Sequence, residues 1–168
     1  GSLSSVPIVG DEGFGLYVHW PFCISKCPYC DFNSHVAETV DQAAWRDGLL
    51  RELDHFAARA TGRKLTSIFF GGGTPSLMDP ATVAAVIDAA RKYWDTKPDL
   101  EINLEANPGT VDAARFSDIR AAGINRLSMG VQALNDADLK FLGRKHGVDE
   151  ARRAWRAAAK IFPRMSFD

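Results

Sequence analysis

A chain of 168 residues, 46% hydrophobic and 24% charged, has the make-up of one globular domain of ordinary size. Its 20 basic and 21 acidic side chains leave a net charge of −1, which excludes a general electrostatic pull toward nucleic acid or an anionic membrane surface. No apolar run approaches the roughly 20 residues of a membrane span, and residues 1–10 lack the basic start and apolar core of a secretion signal.

Residues 1–14 read as an N-terminal extension, with Gly1-Ser2 in the manner of a cloning scar, and residues 15–168 as one core. The first strand is expected at 16–20. Trp45, Leu49, Leu53 and Phe56 recur at helical spacing and predict a helix over 41–60. A second strand follows at 65–70. Asp79-Pro80 is a helix start, with Asp as N-cap and Pro at the first helical position. Val83, Val86, Ile87 and Ala90 form the apolar stripe of that helix, which runs to Trp94. The third strand is 100–105, and a helix over 111–122 ends at Gly123, a C-cap residue. The fourth strand is 126–131, two helices follow at 136–142 and 149–162, and a fifth strand starts at 165–168. Alternation of strand and helix predicts an α/β chain with a parallel sheet. The pattern stops inside a strand, so the chain is expected to be a fragment with an open sheet edge, weakly stable and inactive alone.

Helix-covered parallel strands normally read as continuous apolar runs, but these alternate. Leu100, Ile102 and Leu104 share one face, Glu101, Asn103 and Glu105 the other. Leu127, Met129 and Val131 oppose Ser128, Gly130 and Gln132, and Leu16, Val18 and Trp20 oppose Tyr17 and His19. Met165 and Phe167 likewise oppose Arg164, Ser166 and Asp168. One face is expected to pack on helices. The other carries polar groups, each costing about 1–3 kcal/mol if buried unpaired, and so predicts a wet or ligand-filled lumen. An open sheet with one solvated face is the alternative.

Directly after the first strand, Cys23, Cys27 and Cys30 stand in a C-x3-C-x2-C loop. Three cysteines within eight residues make a poor disulfide framework, which implies a reducing, cytoplasmic setting. Thiolates are the usual ligands of iron–sulfur clusters, normally four to a cubane. Three on one loop can hold three irons and leave the fourth open to a small chelate, such as the amino and carboxylate groups of a methionine moiety. The cofactor would then supply the chemistry and the protein the aim and shielding. Zinc, its set completed by His19 or His35, is the competing reading, though no second cysteine knuckle accompanies the first.

The motif, with an aromatic residue before its last cysteine, resembles the radical S-adenosylmethionine superfamily. The longer string Tyr17-x-His19-x-Pro21-Phe22-Cys23, with Cys27-Pro28-Tyr29-Cys30, is similar to the oxygen-independent coproporphyrinogen III oxidase family. Cys30-Asp31-Phe32-Asn33-Ser34 resembles its haem chaperone (HemW) branch, and the resemblance covers nearly the whole chain. The oxidase branch has a further cysteine where this chain has Phe32, so the departure disfavours coproporphyrinogen oxidation.

The resemblance implies a partial (β/α)6 TIM-like barrel, truncated here to about four βα units plus the start of a fifth strand. It implies a [4Fe-4S] cluster on Cys23, Cys27 and Cys30, and S-adenosylmethionine held by Tyr17, Tyr29, Gly72, Gly73, Thr74, Glu105, Gln132, Arg144 and Asp168. No residue is assigned a catalytic role. Gly71-Gly72-Gly73-Thr74-Pro75 ends the second strand without the Lys-Ser/Thr of a phosphate-binding loop. By resemblance it receives the methionine amino end on its backbone. Glu105 closes the third strand, where barrel active sites lie, and suits ribose hydroxyls or a cationic group.

The function implied is haem binding and delivery to a client protein. The alternatives are a coproporphyrinogen dehydrogenase and a zinc-binding interaction module. Arg152, Arg153, Arg156 and Lys160 share a helical face that reads as solvated, or as a dock for an acidic electron donor such as a flavodoxin or ferredoxin. His55 and His146 read as surface residues, and no nucleic-acid or membrane partner is indicated.

Overall fold

The computed structural model of the chain describes residues 5–10, 13–23, 35–36, 41–107, 113–130 and 146–167. Its main sheet has six strands: β1 (Ser5–Gly10), β2 (Gly13–Trp20), β5 (Lys64–Gly72), β6 (Asp95–Ala106), β7 (Arg126–Met129) and β8 (Arg164–Phe167), adjacent in that order. Two short strands, β3 (Phe22–Cys23) and β4 (His35–Val36), pair in parallel apart from it, with Cys23 opposite Val36. The helices are α1 (Gln42–Arg59), α2 (Pro80–Tyr93), α3 (Ala113–Ala122) and α4 (His146–Ile161).

From β2 to β8 every neighbouring pair is parallel, and each strand lies beside the next in the chain. Crossovers of one hand that always advance in one direction put their helices on one face. The sheet is therefore singly wound, with the strand order of a TIM-like barrel.

Local chemistry explains the element ends. The Asp41 carboxylate accepts from the Ala44 amide (3.0 Å) to open α1, and that of Asp79 accepts from the Ala81 amide (3.0 Å) ahead of Pro80 to open α2. Gly123 ends α3 at a φ of 123°, and its amide donates to the Arg120 carbonyl at 3.1 Å.

Three elements differ from the sequence expectation. β1 pairs antiparallel with β2 at the sheet edge, where no strand was expected. Pro7 lies within it, and an edge strand tolerates proline because one side of its ladder needs no partner. β6 begins at Asp95 rather than at 100, because its register with β5 jumps from Leu65↔Thr96 to Ser67↔Glu101. The bulge takes up Pro98, which has no N–H to give the ladder. α4 begins at His146, ahead of the expected 149. The helix expected at 136–142 lies outside the described residues.

The apolar face of the sheet meets the helices as the alternation predicts. Val18, Trp20, Ile68, Phe70, Leu104 and Leu127 are wholly buried, against Leu53 of α1, Val83 and Val86 of α2 and Phe116 and Ile119 of α3. Each such side chain contributes about 1.5–3 kcal/mol of burial. Edge-to-face ring pairs tie sheet to helices, Phe14 with Trp94 at 5.1 Å and Trp20 with Trp45 at 5.8 Å, and join two helices to each other, Phe116 with Phe162 at 5.9 Å.

Candidate cofactor site

The other face carries the polar set. The register places Tyr17 beside Phe69, Phe69 beside Asn103 and Asn103 beside Arg126. One step toward the strand ends, His19 lies beside Gly71, and Glu105 beside Ser128 and then Ser166. Deep in this face the Ser128 hydroxyl donates to Asn103 Oδ1 (3.0 Å) and shares a hydrogen bond with the Ser166 hydroxyl (3.1 Å). Asn103 and Ser128 are each only 3% exposed. Asn103 Nδ2 is buried without a partner among the described residues, so this face holds a donor that the described protein groups leave unsatisfied. Nearer the strand starts, Arg126 pairs with Glu101 at 2.9 Å, a half-exposed contact of about 0–1 kcal/mol.

The strand ends converge on the glycine stretch. Tyr17 stacks on Phe69, with ring centroids 5.6 Å apart, and lies 6.3 Å from the ring of His19. Gly72 has a φ of 119°, which a side chain rarely tolerates. A Cβ on Gly71 would meet the Tyr17 hydroxyl at 2.5 Å, and one on Gly72 the Trp20 carbonyl oxygen at 2.5 Å and the His19 ring at 2.8 Å. At Gly72 the backbone contact and the positive φ leave room for glycine alone, whereas at Gly71 a Cβ would have to displace the rings of Tyr17 and Phe69. The Gly73 amide donates to the Trp20 carbonyl (2.6 Å) and fixes the turn, and the Gly72 amide donates to Glu105 Oε2 (3.3 Å). Thr74, buried at 6% exposure, leads into a 3₁₀ turn at Pro75–Leu77.

Among the described residues at these strand ends, the Glu105 carboxylate stands beside two ring groups, Tyr17 and His19. Burial, and then the Glu105 charge, raise the Tyr17 hydroxyl above its usual range, so it stays a protonated donor at neutral pH. Burial lowers His19 below its usual range and keeps it neutral there. A carboxylate beside bare peptide, a neutral phenol and a neutral imidazole suit a ligand carrying an ammonium group and hydroxyls. The structure brings Tyr17, Gly72, Gly73 and Glu105 together, with Thr74 directly after the glycines. Cys23 is placed by backbone alone in β3, just past the end of β2. Cys27, Tyr29, Cys30, Gln132, Arg144 and Asp168 lie outside the described residues. His19 and Gly71 join the site: the sequence had placed His19 on the polar strand face and as an alternative zinc ligand, and Gly71 in the glycine stretch, without counting either among the cofactor contacts. Their signal was the spacing Tyr17-x-His19, which puts both on the face that Gly71 approaches. His55 is exposed, as are Arg152, Arg153, Arg156 and Lys160. Among the described residues no helix is long and apolar enough to cross a membrane.

The model of the radical SAM superfamily matches residues 17–168. The heme chaperone HemW of Escherichia coli K12 is 48% identical over 147 residues, which are 87% of this chain and 39% of that protein. The mitochondrial radical S-adenosyl methionine domain-containing protein 1 of Bos taurus is 43% identical over 163 residues, 96% of this chain and 37% of that protein. The chain thus spans well under half the length of these relatives. Among solved structures, coproporphyrinogen III oxidase (HemN) of Escherichia coli, a radical SAM enzyme, superposes with a TM-score of 0.75 at 31% identity, covering 90% of this chain and 36% of that one. The cobalamin-dependent S-adenosylmethionine radical enzyme OxsB shares the fold alone, with a TM-score of 0.51 at 16% identity over 90% of this chain and 23% of that one. With the family model matched over residues 17–168, the singly wound sheet and the C-x3-C-x2-C spacing of the sequence, the chain belongs to the radical S-adenosylmethionine superfamily, whose members bind a [4Fe-4S] cluster and S-adenosylmethionine.

Proposed function

We propose that this chain is the cofactor-binding part of a longer haem-handling protein, which binds haem and delivers it to a recipient haem protein. The observation that carries the cofactor half of the reading is the contact of the Gly72 amide with Glu105 at 3.3 Å, at the end of a polar sheet face and beside the strand that precedes Cys23 in the chain. Cys23, Cys27 and Cys30 hold the cluster. The chemistry it supplies when bound and reduced is one-electron cleavage of a carbon–sulfur bond of the sulfonium.

The protein's own residues bind and orient. The Gly72–Gly73 backbone receives the methionine amino end beside the Glu105 carboxylate, which stabilises a cation there by a charge-assisted contact. Tyr17 holds its proton and presents a donor next to Gly71. His19, neutral and half-buried, packs its ring against Gly72. Thr74, Tyr29, Gln132, Arg144 and Asp168 complete the binding set.

The haem half is supported by the 48% identity to a heme chaperone and by Phe32, which stands where the oxidase branch has a further cysteine. An acidic electron donor such as a flavodoxin or ferredoxin and a haem-receiving client complete the assignment, in the reducing setting of the cytoplasm. One observation favours a second reading: the fold match to coproporphyrinogen III oxidase at a TM-score of 0.75 supports dehydrogenation of a porphyrinogen propionate.

The test is anaerobic reconstitution of the full-length protein with its three Cys→Ala variants. Iron and sulfide should bind in the parent and fall in each variant, and haem should bind without vinyl products forming from coproporphyrinogen. Zinc without sulfide ends the cluster assignment. Turnover of coproporphyrinogen without haem binding replaces the chaperone with the oxidase.

A further inference from the structure

The segment after the glycine stretch is held by side chains from two distant helices. Ser76 and Met78 are buried at 0% and 1% exposure. The carbonyls of residues 76, 77 and 78 accept from side chains rather than from a helical ladder, and a buried carbonyl left without a partner is destabilising. Arg115 of α3 satisfies two of them, donating from Nε to the Ser76 carbonyl (3.0 Å) and from Nη2 to the Met78 carbonyl (2.7 Å). Gln42, the first residue of α1, donates from Nε2 to the Leu77 carbonyl (3.4 Å) and accepts from the Asp79 amide on Oε1 (3.1 Å). Inside the turn, the Leu77 and Met78 amides donate to the Thr74 and Pro75 carbonyls at 3.0 Å each. Every backbone group from Thr74 to Asp79 named here is thus engaged, three of the carbonyls by side chains whose helices cross over different strands.

The arrangement joins the two walls of the cofactor site. α3 is the helix that follows β6, whose end carries Glu105, and Arg115 reaches from it to the turn that follows β5, whose end carries Gly72. The same two walls meet at the Gly72–Glu105 contact. A guanidinium suits this span because its Nε and Nη2 donors point in fixed, parallel directions onto carbonyls two residues apart. A lysine ammonium is a single point donor and cannot bridge both in one geometry.

We propose that Arg115, supported by Gln42, is a positioning residue for S-adenosylmethionine: it sets the Pro75–Leu77 turn, and through it the separation of the Gly72–Gly73 backbone from Glu105. The inference rests on the cofactor reading above. It touches no reacting atom and acts through the backbone of the site.

The test uses the full-length protein with its cluster reconstituted anaerobically, comparing the parent with Arg115→Lys, Arg115→Ala and Arg120→Lys. Arg120 is the control on the same helix: it donates to the Ile124 carbonyl (3.0 Å) and lies away from the site. Iron content, the urea midpoint, S-adenosylmethionine affinity and the change in the reduced-cluster electron paramagnetic resonance signal on adding S-adenosylmethionine are read for each. Arg115→Lys should keep its iron yet bind S-adenosylmethionine at least ~10-fold more weakly, the effect of one lost hydrogen bond from a charged group, with a diminished signal change. Arg120→Lys should shift the urea midpoint without moving the affinity. Methylguanidinium added to Arg115→Ala should restore part of the affinity. Parent-like affinity in an iron-replete Arg115→Lys protein overturns the positioning role while leaving the cofactor reading intact. A parent cluster indifferent to S-adenosylmethionine removes both. Should Arg115→Ala fail to fold, the lysine variant decides alone.

Discussion

Gly72→Ala isolates the geometry on which the cofactor site depends. The perturbation adds one methyl group to a residue with φ of 119°. A non-glycine residue held in such a sparsely populated region costs about 1–3 kcal/mol. The new Cβ would also stand 2.5 Å from the Trp20 carbonyl oxygen and 2.8 Å from the His19 ring. The first of these is a backbone atom tied to the Gly73 amide at 2.6 Å, so it cannot swing aside as a flexible side chain would. Overpacking of this kind costs about 1–3 kcal/mol, giving a total of about 2–6 kcal/mol. Gly62 provides the comparison. It too has a positive φ, 75°, but nothing lies within 4 Å of its Cβ direction, so Gly62→Ala carries the backbone strain alone, about 1–2 kcal/mol. Urea denaturation of the two full-length variants should therefore place Gly72→Ala below Gly62→Ala in midpoint. S-adenosylmethionine binding should fall in Gly72→Ala and persist in Gly62→Ala. Equal midpoints, or an undiminished affinity in Gly72→Ala, would refute the claim that close approach of the β5 end to β2 shapes the site.

Three further outcomes follow from the same face of the sheet. Glu105→Gln keeps size and removes charge, so S-adenosylmethionine affinity should fall about 10- to 100-fold by equilibrium binding while iron content holds, the range for a hydrogen bond to a charged group. Tyr17 should then titrate lower by absorbance, because the Glu105 charge that helps raise it is gone, yet stay above its ordinary 10.0 because burial is the larger cause. For His19 the folded value lies below the ordinary 6.5, so the unfolded chain takes up the proton first as pH falls. Stability is level above that pH and drops below it, and a His19→Asn protein should show a shallower drop in urea midpoint over the same window. Ser128→Ala removes the donor to Asn103 Oδ1 and should cost about 1–3 kcal/mol in urea denaturation, more than Ser166→Ala, which leaves that bond in place.

The period-two alternation made the inner face legible before any coordinates. Glu101, Asn103 and Glu105 fell on one side because side chains alternate across a strand, and no packing detail alters that. The helix starts at Asp41 and Asp79 were equally plain, since a cap acts within a few residues of itself. What the sequence did not carry depends on which strand lies next to which. β1 was hidden because Pro7 weakens a strand signal everywhere except at an edge, and being an edge is a property of the sheet. Gly71 gave no sign of its own, because the atom that excludes a Cβ there is the hydroxyl of Tyr17 on the neighbouring strand. The bonds of Arg115 and Gln42 span 35 to 39 residues of sequence, and neither residue belongs to a local pattern that would single it out.

A common physical cause runs through the site residues. Parallel strands put their C-terminal ends at one rim, so residues far apart in sequence arrive there with backbone groups that the ladder no longer satisfies. At this rim the protein satisfies some of them internally: Trp20 O takes the Gly73 amide, and Arg115 and Gln42 take the turn beyond. The Gly72 amide meets Glu105 at 3.3 Å, at the long end of the hydrogen-bond range. Asn103 Nδ2, buried in the face beneath, has no acceptor among the described residues. The short bonds of Arg115 in the supporting turn (3.0 and 2.7 Å), beside an unpaired donor on the polar face, are what a preorganised ligand site requires: the scaffold is fixed, and polar capacity is left on the face that meets the ligand.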